Sequence, residues 1–141
     1  MNINLRTFTA PTFEKIRAYS DDNGEIRFVA KDLIELFETN VEYDNLSKIC
    51  SDVYEIGLVL DDRKRIVKVV GDYGVSDIAM DSTRSDSAKI LSWIRRTVIP
   101  TLKEEWAINT FIDTSFGGAD NDEKDRARAV LESLAKLGKR G

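Results

Sequence analysis

The strongest chemical signal in the sequence is a run of positive charge within residues 63–68. It comprises Arg63, Lys64, Arg65 and Lys68, and the residues around it predict a two-stranded hairpin. Arginine and lysine side chains bind nucleic-acid phosphates, and a two-stranded ribbon is narrow enough to enter the major groove of DNA. The run therefore predicts a DNA contact. A second interpretation stays open, in which the charges only keep an edge strand from aggregating.

Four further cations are candidates for the same surface. Lys89, Arg95 and Arg96 lie on a predicted long helix and would extend the basic surface of the hairpin. Lys31, at the start of a shorter predicted helix, is a candidate for one phosphate contact. The formal net charge of −4 is unusual for a DNA-binding domain. Many of the acidic residues lie in turns and within residues 113–132, so one face of the molecule can be basic although the net charge is negative.

Residues that commonly carry catalysis or bind cofactors are scarce. The sequence has no histidine and one cysteine, Cys50, which excludes Ser-His and Cys-His nucleophile pairs and a thiolate metal cluster within one chain. It contains neither a Walker-type phosphate loop nor a G-x-G-x-x-G motif. Acidic clusters at 21–22, 61–62 and 120–125 are interpreted as turn and cap residues. We therefore expect a protein that is not an enzyme, with no catalytic residue, metal site, cofactor or small-molecule substrate.

The composition is typical of a globular chain. Of 141 residues, 42% are hydrophobic and 33% are charged, which is enough to build a core without disulfide bonds. We interpret Cys50 as a buried thiol in a reducing compartment. Residues 1–15 lack the apolar core of a signal peptide, and no run is long and apolar enough to span a bilayer. The expected location is the cytoplasm, with no membrane partner.

The N-terminal half predicts a hairpin followed by short helices. Strands over Thr12–Tyr19 and Glu25–Ala30 flank Asn23-Gly24, a pair that tolerates positive φ and favours a tight turn. A short helix should follow, with Leu33, Leu36 and Phe37 on its buried face and Asp32 near its N-terminus. A second short helix is predicted after Asp44, which is expected to cap it.

The C-terminal half predicts a second hairpin and then helices. The hairpin strands are Ile56–Leu60 and Arg65–Val70, and a short helical piece lies within Gly71–Met80. A long helix over Ser85–Ile99 should end or kink at Pro100, whose nitrogen has no hydrogen to donate. A second helical segment should restart there, with Pro100 near its first turn. Residues 110–121 predict a linker, which divides the chain into a domain at 1–109 and a terminal helix within 122–141. The predicted fold is therefore α+β. It consists of two hairpins interleaved with short helices, a long helix ending at Pro100 and a C-terminal amphipathic helix.

The terminal helix is a candidate protein-binding surface. Its apolar stripe contains Val130, Leu131, Leu134 and Leu137, together with Ala127. The stripe has three possible partners: its own domain, a second copy of the chain in a homo-oligomer, or a target protein. The sequence does not distinguish packing in cis from packing in trans.

Two segments resemble a known family. Phe28-Val29-Ala30-Lys31-Asp32, which ends a hairpin and opens a helix, resembles the FVAKD signature of the Bro N-terminal domain, found in phage antirepressors and baculovirus repeated-ORF proteins. Downstream, Trp93 is followed seven residues later by Pro100, as in the closing helix of the same family. The resemblance covers roughly residues 13–103, and the chain departs from the family at Ser85, where a proline is usual.

This resemblance implies a non-enzymatic regulatory module from a phage or viral context, which would place it in the host cytoplasm. DNA binding and transcription regulation are the activities usually attributed to the family. Because antirepressors act on a repressor protein, the resemblance also implies an alternative in which the partner is a regulatory protein. The acidic net charge suits such an inhibitor, since it would complement a basic DNA-binding surface on the target.

Overall fold

The computed structural model describes residues 3–138, and its elements confirm the α+β class. In chain order the elements are β1 (Arg6–Thr9), β2 (Lys15–Ser20), β3 (Ile26–Val29), α1 (Ala30–Phe37), a 3₁₀ helix (Tyr43–Lys48), β4 (Val53–Leu60), β5 (Arg63–Val70), α2 (Asp72–Met80), α3 (Ser87–Trp93), a π-helical segment (Ile94–Val98), α4 (Ile99–Ser115) and α5 (Asn121–Gly138). The strands form one antiparallel sheet in the order β1-β2-β3-β5-β4.

The chain divides into two compact units, residues 1–102 and 103–141. The first unit contains the sheet, α1 to α3, the 3₁₀ helix, the π segment and the start of α4. The second contains the rest of α4 and α5, joined by the loop at 116–120. Residues 110–115, which the sequence predicts to be part of a linker, belong to α4.

The first hairpin forms where the sequence predicts it. Gly24 adopts a φ of 81°, and the carboxylate of Asp21 accepts hydrogen bonds from the backbone N–H groups of Asn23 and Glu25 at 2.9 and 3.0 Å. β2 begins at Lys15, later than the predicted Thr12, because residues 10–14 turn back to the unpredicted strand β1.

Strand periodicity divides the sheet into two faces, and each covers an apolar cluster. Helices α1 to α3 pack on the face that carries Ile16, Phe28 and Val70. α1 contributes Leu33, Leu36 and Phe37, all fully buried as predicted. On the opposite face, Tyr19, Val29, Val69, Leu58 and Leu60 form a second cluster, against which Ile3 and Leu5 pack.

Pro100 lies in the first turn of α4, where the sequence predicts that a second helical segment starts. The chain stays helical from α3 through the π segment into α4, so no loop interrupts the helices at Pro100. Just before the proline the helix widens into the π segment, in which the N–H of Ile99 donates to the carbonyl of Ile94. Such a bulge shifts the hydrogen-bond register by one residue and gives the proline ring space that a regular α-helix lacks.

Two cap predictions have different outcomes. Asp44 lies in the first turn of the 3₁₀ helix, whose capping position is Glu42, and no side chain caps it. At α5, the carboxylate of Asp120 accepts a hydrogen bond from the N–H of Glu123 at 2.8 Å, and α5 begins at Asn121, one residue before the predicted start.

Candidate nucleic-acid interface

The β4–β5 hairpin extends beyond the sheet as a two-stranded ribbon. β5 pairs with β3 only at Val69 and Val70, whereas its pairing with β4 continues from Glu55–Lys68 to Leu60–Arg63. At about 3.4 Å per residue, the part beyond β3 is roughly 17 Å long. We call this part, residues 55–68, the basic ribbon. Its width suits the major groove of B-DNA.

A two-residue turn forms the tip of the ribbon. Asp61 and Asp62 adopt φ values of 52° and 65°, the left-handed conformation that a type I′ hairpin turn requires at both positions. Aspartate tolerates this region better than most residues. The turn is therefore shorter than the sequence predicts, and Arg63 and Lys64 begin β5 directly at the tip.

The four cations of the ribbon lie on two faces. Arg63 and Arg65 are opposite Leu60 and Leu58 and share their face, whereas Lys64 and Lys68 lie on the other face. Arg63, Lys64 and Arg65 are exposed, and none of the three forms an ion pair with any residue between 3 and 138. The tip thus presents cationic side chains to both sides of the ribbon.

Lys68 differs from the other three because it is engaged by the 3₁₀ helix. Its Nζ donates a hydrogen bond to the carbonyl of Tyr43 at 3.1 Å and lies 5.0 Å from the centroid of the Tyr43 ring. The backbone N–H of Lys68 donates to the Tyr43 hydroxyl at 2.7 Å, which satisfies a donor on the free edge of β5. Lys68 therefore anchors the base of the ribbon, and its predicted role as a phosphate contact is weakened.

The β1–β2 turn lies at the same end of the sheet as the ribbon tip. By register, β2 and β5 both run past the end of β3 in this direction. The exposed side chain of Lys15 lies on β2 at this end of the sheet. Lys31, which is also exposed, lies in the first turn of α1, the helix that directly follows β3. Sequence reasoning named Lys31 but missed Lys15, because only the register shows which end of the sheet it occupies.

Phe13, in the β1–β2 turn, was also missed. It is 86% exposed and has a φ of 75°, an uncommon and strained conformation for a bulky residue. An aromatic side chain that is both exposed and held in a strained backbone suggests a functional constraint. No sequence signal marks it, since residues 12–19 alternate like a strand.

Asp32 fixes the start of α1 against β2. Its carboxylate accepts hydrogen bonds from Nε and Nη2 of Arg17 at 2.8 and 2.9 Å, and from the backbone N–H of Arg17 at 2.9 Å. The pairing of β2 with β3 ends at Ala18 and Phe28, so Asp32 satisfies the backbone donor of Arg17 that continued pairing would have used. The hydrogen bonds to Asp32 raise the pKa of Arg17, and Asp61 at the ribbon tip adds electrostatic attraction.

Arg84 holds the β1–β2 turn in place. Its guanidinium donates to Glu14 in that turn at 2.9 Å, to the carbonyl of Leu36 at 3.0 Å, and to Asp86 at 2.8 and 2.9 Å. The hydrogen bond from Arg84 lowers the pKa of Asp86. These hydrogen bonds connect the β1–β2 turn, which contains Phe13 and precedes Lys15, to the end of α1.

The remaining candidate cations lie in the helical layer and not on the ribbon. Lys89 on α3 and Arg96 on the π segment are exposed. Arg95 donates a short hydrogen bond to Ser76 of α2 and lies 3.9 Å from the carboxylate of Asp72. The structure therefore brings Arg63, Lys64 and Arg65 together, with Lys31 on the same end of the sheet, and does not place Lys89, Arg95 and Arg96 beside them.

The candidate protein-binding residues lie on α5 in the second unit. Val130, Leu134 and Leu137 are 59%, 57% and 60% exposed, and Leu131 is half-buried. Most of the predicted apolar stripe is therefore not covered by other residues of the second unit.

Over residues 3–138, no three metal-ligating side chains are clustered in a way that would hold an ion. No helix in the same range combines the length and apolarity that a membrane crossing needs. Comparisons with family models, with curated proteins and with solved structures found no match to the chain.

Proposed function

We propose that the protein is a non-enzymatic regulatory protein that binds duplex DNA with the tip of its basic ribbon. The observation that carries the proposal is the ribbon itself, which projects beyond the sheet with Arg63, Lys64 and Arg65 exposed and free of ion pairs among residues 3–138. Protein cations that are not neutralised internally are available to replace the counterions condensed on DNA. The resemblance to the Bro N-terminal domain supports the same function and a phage or viral context.

The ribbon also carries apolar side chains that can contact bases. Val59 and Ile66 are 65% and 79% exposed and share a face with Lys64, because Val59 is opposite Lys64 and Ile66 is opposite Gly57. Apolar side chains in the major groove contact the methyl group of thymine. Lys15 and Lys31, at the same end of the sheet, are the proposed flanking phosphate contacts.

The salt dependence of binding tests the proposal. Fluorescence anisotropy with a mixed-sequence duplex would give the affinity of the parent and of the Arg63→Gln/Arg65→Gln variant over a salt series. Each lost phosphate contact should flatten the plot of log affinity against log salt by about 0.9, or about 2 for both. The matched control, Lys48→Gln/Lys103→Gln, removes the same charge from two exposed positions off the ribbon and should leave the slope unchanged.

Two outcomes would contradict the proposal in different ways. Absence of binding at low salt would exclude DNA as the ligand of this chain. Binding with the same slope in the ribbon variant and the parent would keep DNA as the ligand and move the site, with Lys89 and Arg96 as the next exposed candidates.

The second candidate function is an antirepressor or inhibitor that binds a regulatory protein. The net charge of −4 favours it. The exposed acids Asp120, Asp122 and Glu123 around the start of α5 also favour it, since they would complement a basic target surface. A pull-down from host lysate with and without nuclease separates the two functions. Capture of a DNA-binding repressor that survives nuclease treatment supports this second function, and loss of all captured protein with nuclease supports the first.

A further inference from the structure

The β1–β2 turn, residues 10–14, exposes an aromatic side chain at a position where the backbone favours glycine. The N–H of Phe13 donates to the carbonyl of Ala10 at 2.9 Å, and the N–H of Ala10 donates to the carbonyl of Glu14 at 2.8 Å. These two hydrogen bonds close a three-residue hairpin loop, whose left-handed position is most easily filled by glycine. Phe13 occupies that position with a φ of 75°.

The ring of Phe13 contributes little to the packing of the first unit. The residue is 86% exposed, and it belongs to neither of the two apolar clusters on the sheet. A bulky residue in the left-handed region strains the backbone, and strain of this kind is concentrated at binding sites. Phenylalanine at this position is therefore better explained by a binding role than by a role in the fold.

Hydrogen bonds hold the turn, so that the ring is presented in one place. Arg84 donates to the carboxylate of Glu14 at 2.9 Å and to the carbonyl of Leu36 at 3.0 Å, which connects the turn to the end of α1. Pro11 restricts a further φ angle within the loop. Because the loop is already ordered in the free protein, little conformational entropy is lost when the ring enters a partner.

The charges around Phe13 favour DNA as the partner of the ring. Exposed Lys15 follows the turn, and the exposed cations of the basic ribbon lie at the same end of the sheet. β2 and β5 flank β3 and are therefore roughly 10 Å apart where β3 ends. Asp61 at the ribbon tip attracts Arg17 of β2 electrostatically. An aromatic ring close to exposed cations is the combination with which proteins bind bases and phosphates together.

We propose that Phe13 is a wedge that inserts between neighbouring bases of the DNA held by the basic ribbon. The proposal rests on the proposed function and adds a substrate class to it, namely duplexes with a step that unstacks readily. Phenylalanine is among the side chains that wedge between base steps and partly unstack them, and pyrimidine–purine steps such as TA are the most easily opened. The ribbon cations bind phosphates, and the ring selects the deformable step.

Base unstacking can be measured with aminopurine, an adenine analogue whose fluorescence rises when it leaves the stack. The probe is a short duplex built of TA steps, with aminopurine in place of several adenines. The parent protein should raise the fluorescence, and Phe13→Gly should not. Fluorescence anisotropy on the same duplex should show that Phe13→Gly binds roughly 5- to 150-fold more weakly than the parent, the range for one contact between an aromatic ring and a base.

Two control variants and a thermal melt separate binding from folding. Phe13→Tyr keeps an aromatic ring and should retain the fluorescence change, whereas Tyr73→Ala removes a ring that is 79% exposed on α2 and should behave as the parent does. Phe13→Gly should melt no lower than the parent, because glycine adopts a positive φ without strain. A melting temperature several degrees below that of the parent would show that the ring supports the fold, and would overturn the proposal.

A salt series separates failure of the wedge from failure of the proposed function. Phe13 carries no charge, so Phe13→Gly should keep the parent's slope of log affinity against log salt, whereas Arg63→Gln/Arg65→Gln should flatten it. Equal affinity of the parent and Phe13→Gly, with the slope still dependent on the ribbon, would overturn the wedge and leave DNA binding intact. Loss of a captured protein from Phe13→Gly, with DNA affinity unchanged, would overturn it too and place the ring in a protein pocket. Absence of parent binding at low salt would overturn both proposals.

Discussion

Replacing Asp32 with alanine should be one of the most destabilising single changes in the first unit. Asp32 is 7% exposed and accepts two hydrogen bonds from the Arg17 side chain and one from the Arg17 backbone. Removing it leaves a guanidinium and an N–H group without their acceptor. Breaking a buried ion pair in this way costs about 3–5 kcal/mol. Because the Arg17 side chain is 26% exposed, water recovers part of that cost, and we expect a loss of about 2–4 kcal/mol.

Urea unfolding followed by circular dichroism measures this loss. With a denaturant slope of about 1–3 kcal/mol per molar urea, a loss of about 3 kcal/mol lowers the unfolding midpoint by roughly 1–3 M. Asp32→Asn keeps one acceptor oxygen and should lose less than Asp32→Ala. The control Asp22→Ala removes an exposed turn carboxylate and should change stability by no more than about 0.5 kcal/mol.

The reasoning would be refuted if Asp32→Ala were no less stable than Asp22→Ala. The double variant Arg17→Gln/Asp32→Ala gives a second check, because removing both partners should cost less than the sum of the two single losses. Additive losses would show that the two side chains do not act as a pair.

Three further predictions follow from other parts of the structure. Gly74→Ala should destabilise the protein, since the new Cβ would lie 2.4 Å from Asp52 Oδ1 and 2.5 Å from Val70 Cβ, although alanine is more favourable than glycine in a helix by about 1 kcal/mol. The control Gly118→Ala has open space around the new Cβ and should be tolerated. Thermal melts of the two variants measure the difference. Burial raises the pKa of Cys50 from 9.0 to about 12, so its thiol should react with thiol reagents at pH 8 only after the protein unfolds. The stability that the neutral buried thiol contributes should be intact below about pH 9 and lost as the pH rises towards 12. The urea midpoints of the parent and of Cys50→Ala, compared across this pH range, measure that loss. A divalent metal or a nucleotide at about a hundred times a typical dissociation constant would add roughly 2.7 kcal/mol to the free energy of unfolding if it bound. We expect no such stabilisation in a thermal-shift screen, and a rise of several degrees in the melting temperature would contradict the proposal of a non-enzymatic protein.

Local sequence signals predicted the elements whose formation depends on local chemistry. Asn23-Gly24 located the first hairpin, because few other pairs accept positive φ so readily. The spacing of Leu33, Leu36 and Phe37 located α1 and its buried face. The stripe of α5 was also correctly placed on one helix.

Features that depend on long-range pairing were not predictable in the same way. The ribbon projects because β3 ends at Val29 while β5 extends to Arg63, and no local pattern reports the relative lengths of paired strands. The engagement of Lys68 by Tyr43 and the partnership of Asp32 with Arg17 join residues far apart in sequence. At Pro100 the restart of the helix was predicted, but the π segment before it was not, because the local rule for proline does not specify how the preceding turn adjusts.

The most direct test of the proposed DNA contact is amide chemical-shift mapping of the ¹⁵N-labelled protein titrated with a mixed-sequence duplex at low salt. The proposal predicts the largest shifts at the ribbon tip, in residues 61–66, with smaller shifts around Lys31 and the β1–β2 turn. It predicts unchanged shifts along α5 when the protein concentration is held constant. Shifts concentrated on α5 or on Lys89 and Arg96, with the ribbon tip unaffected, would contradict it.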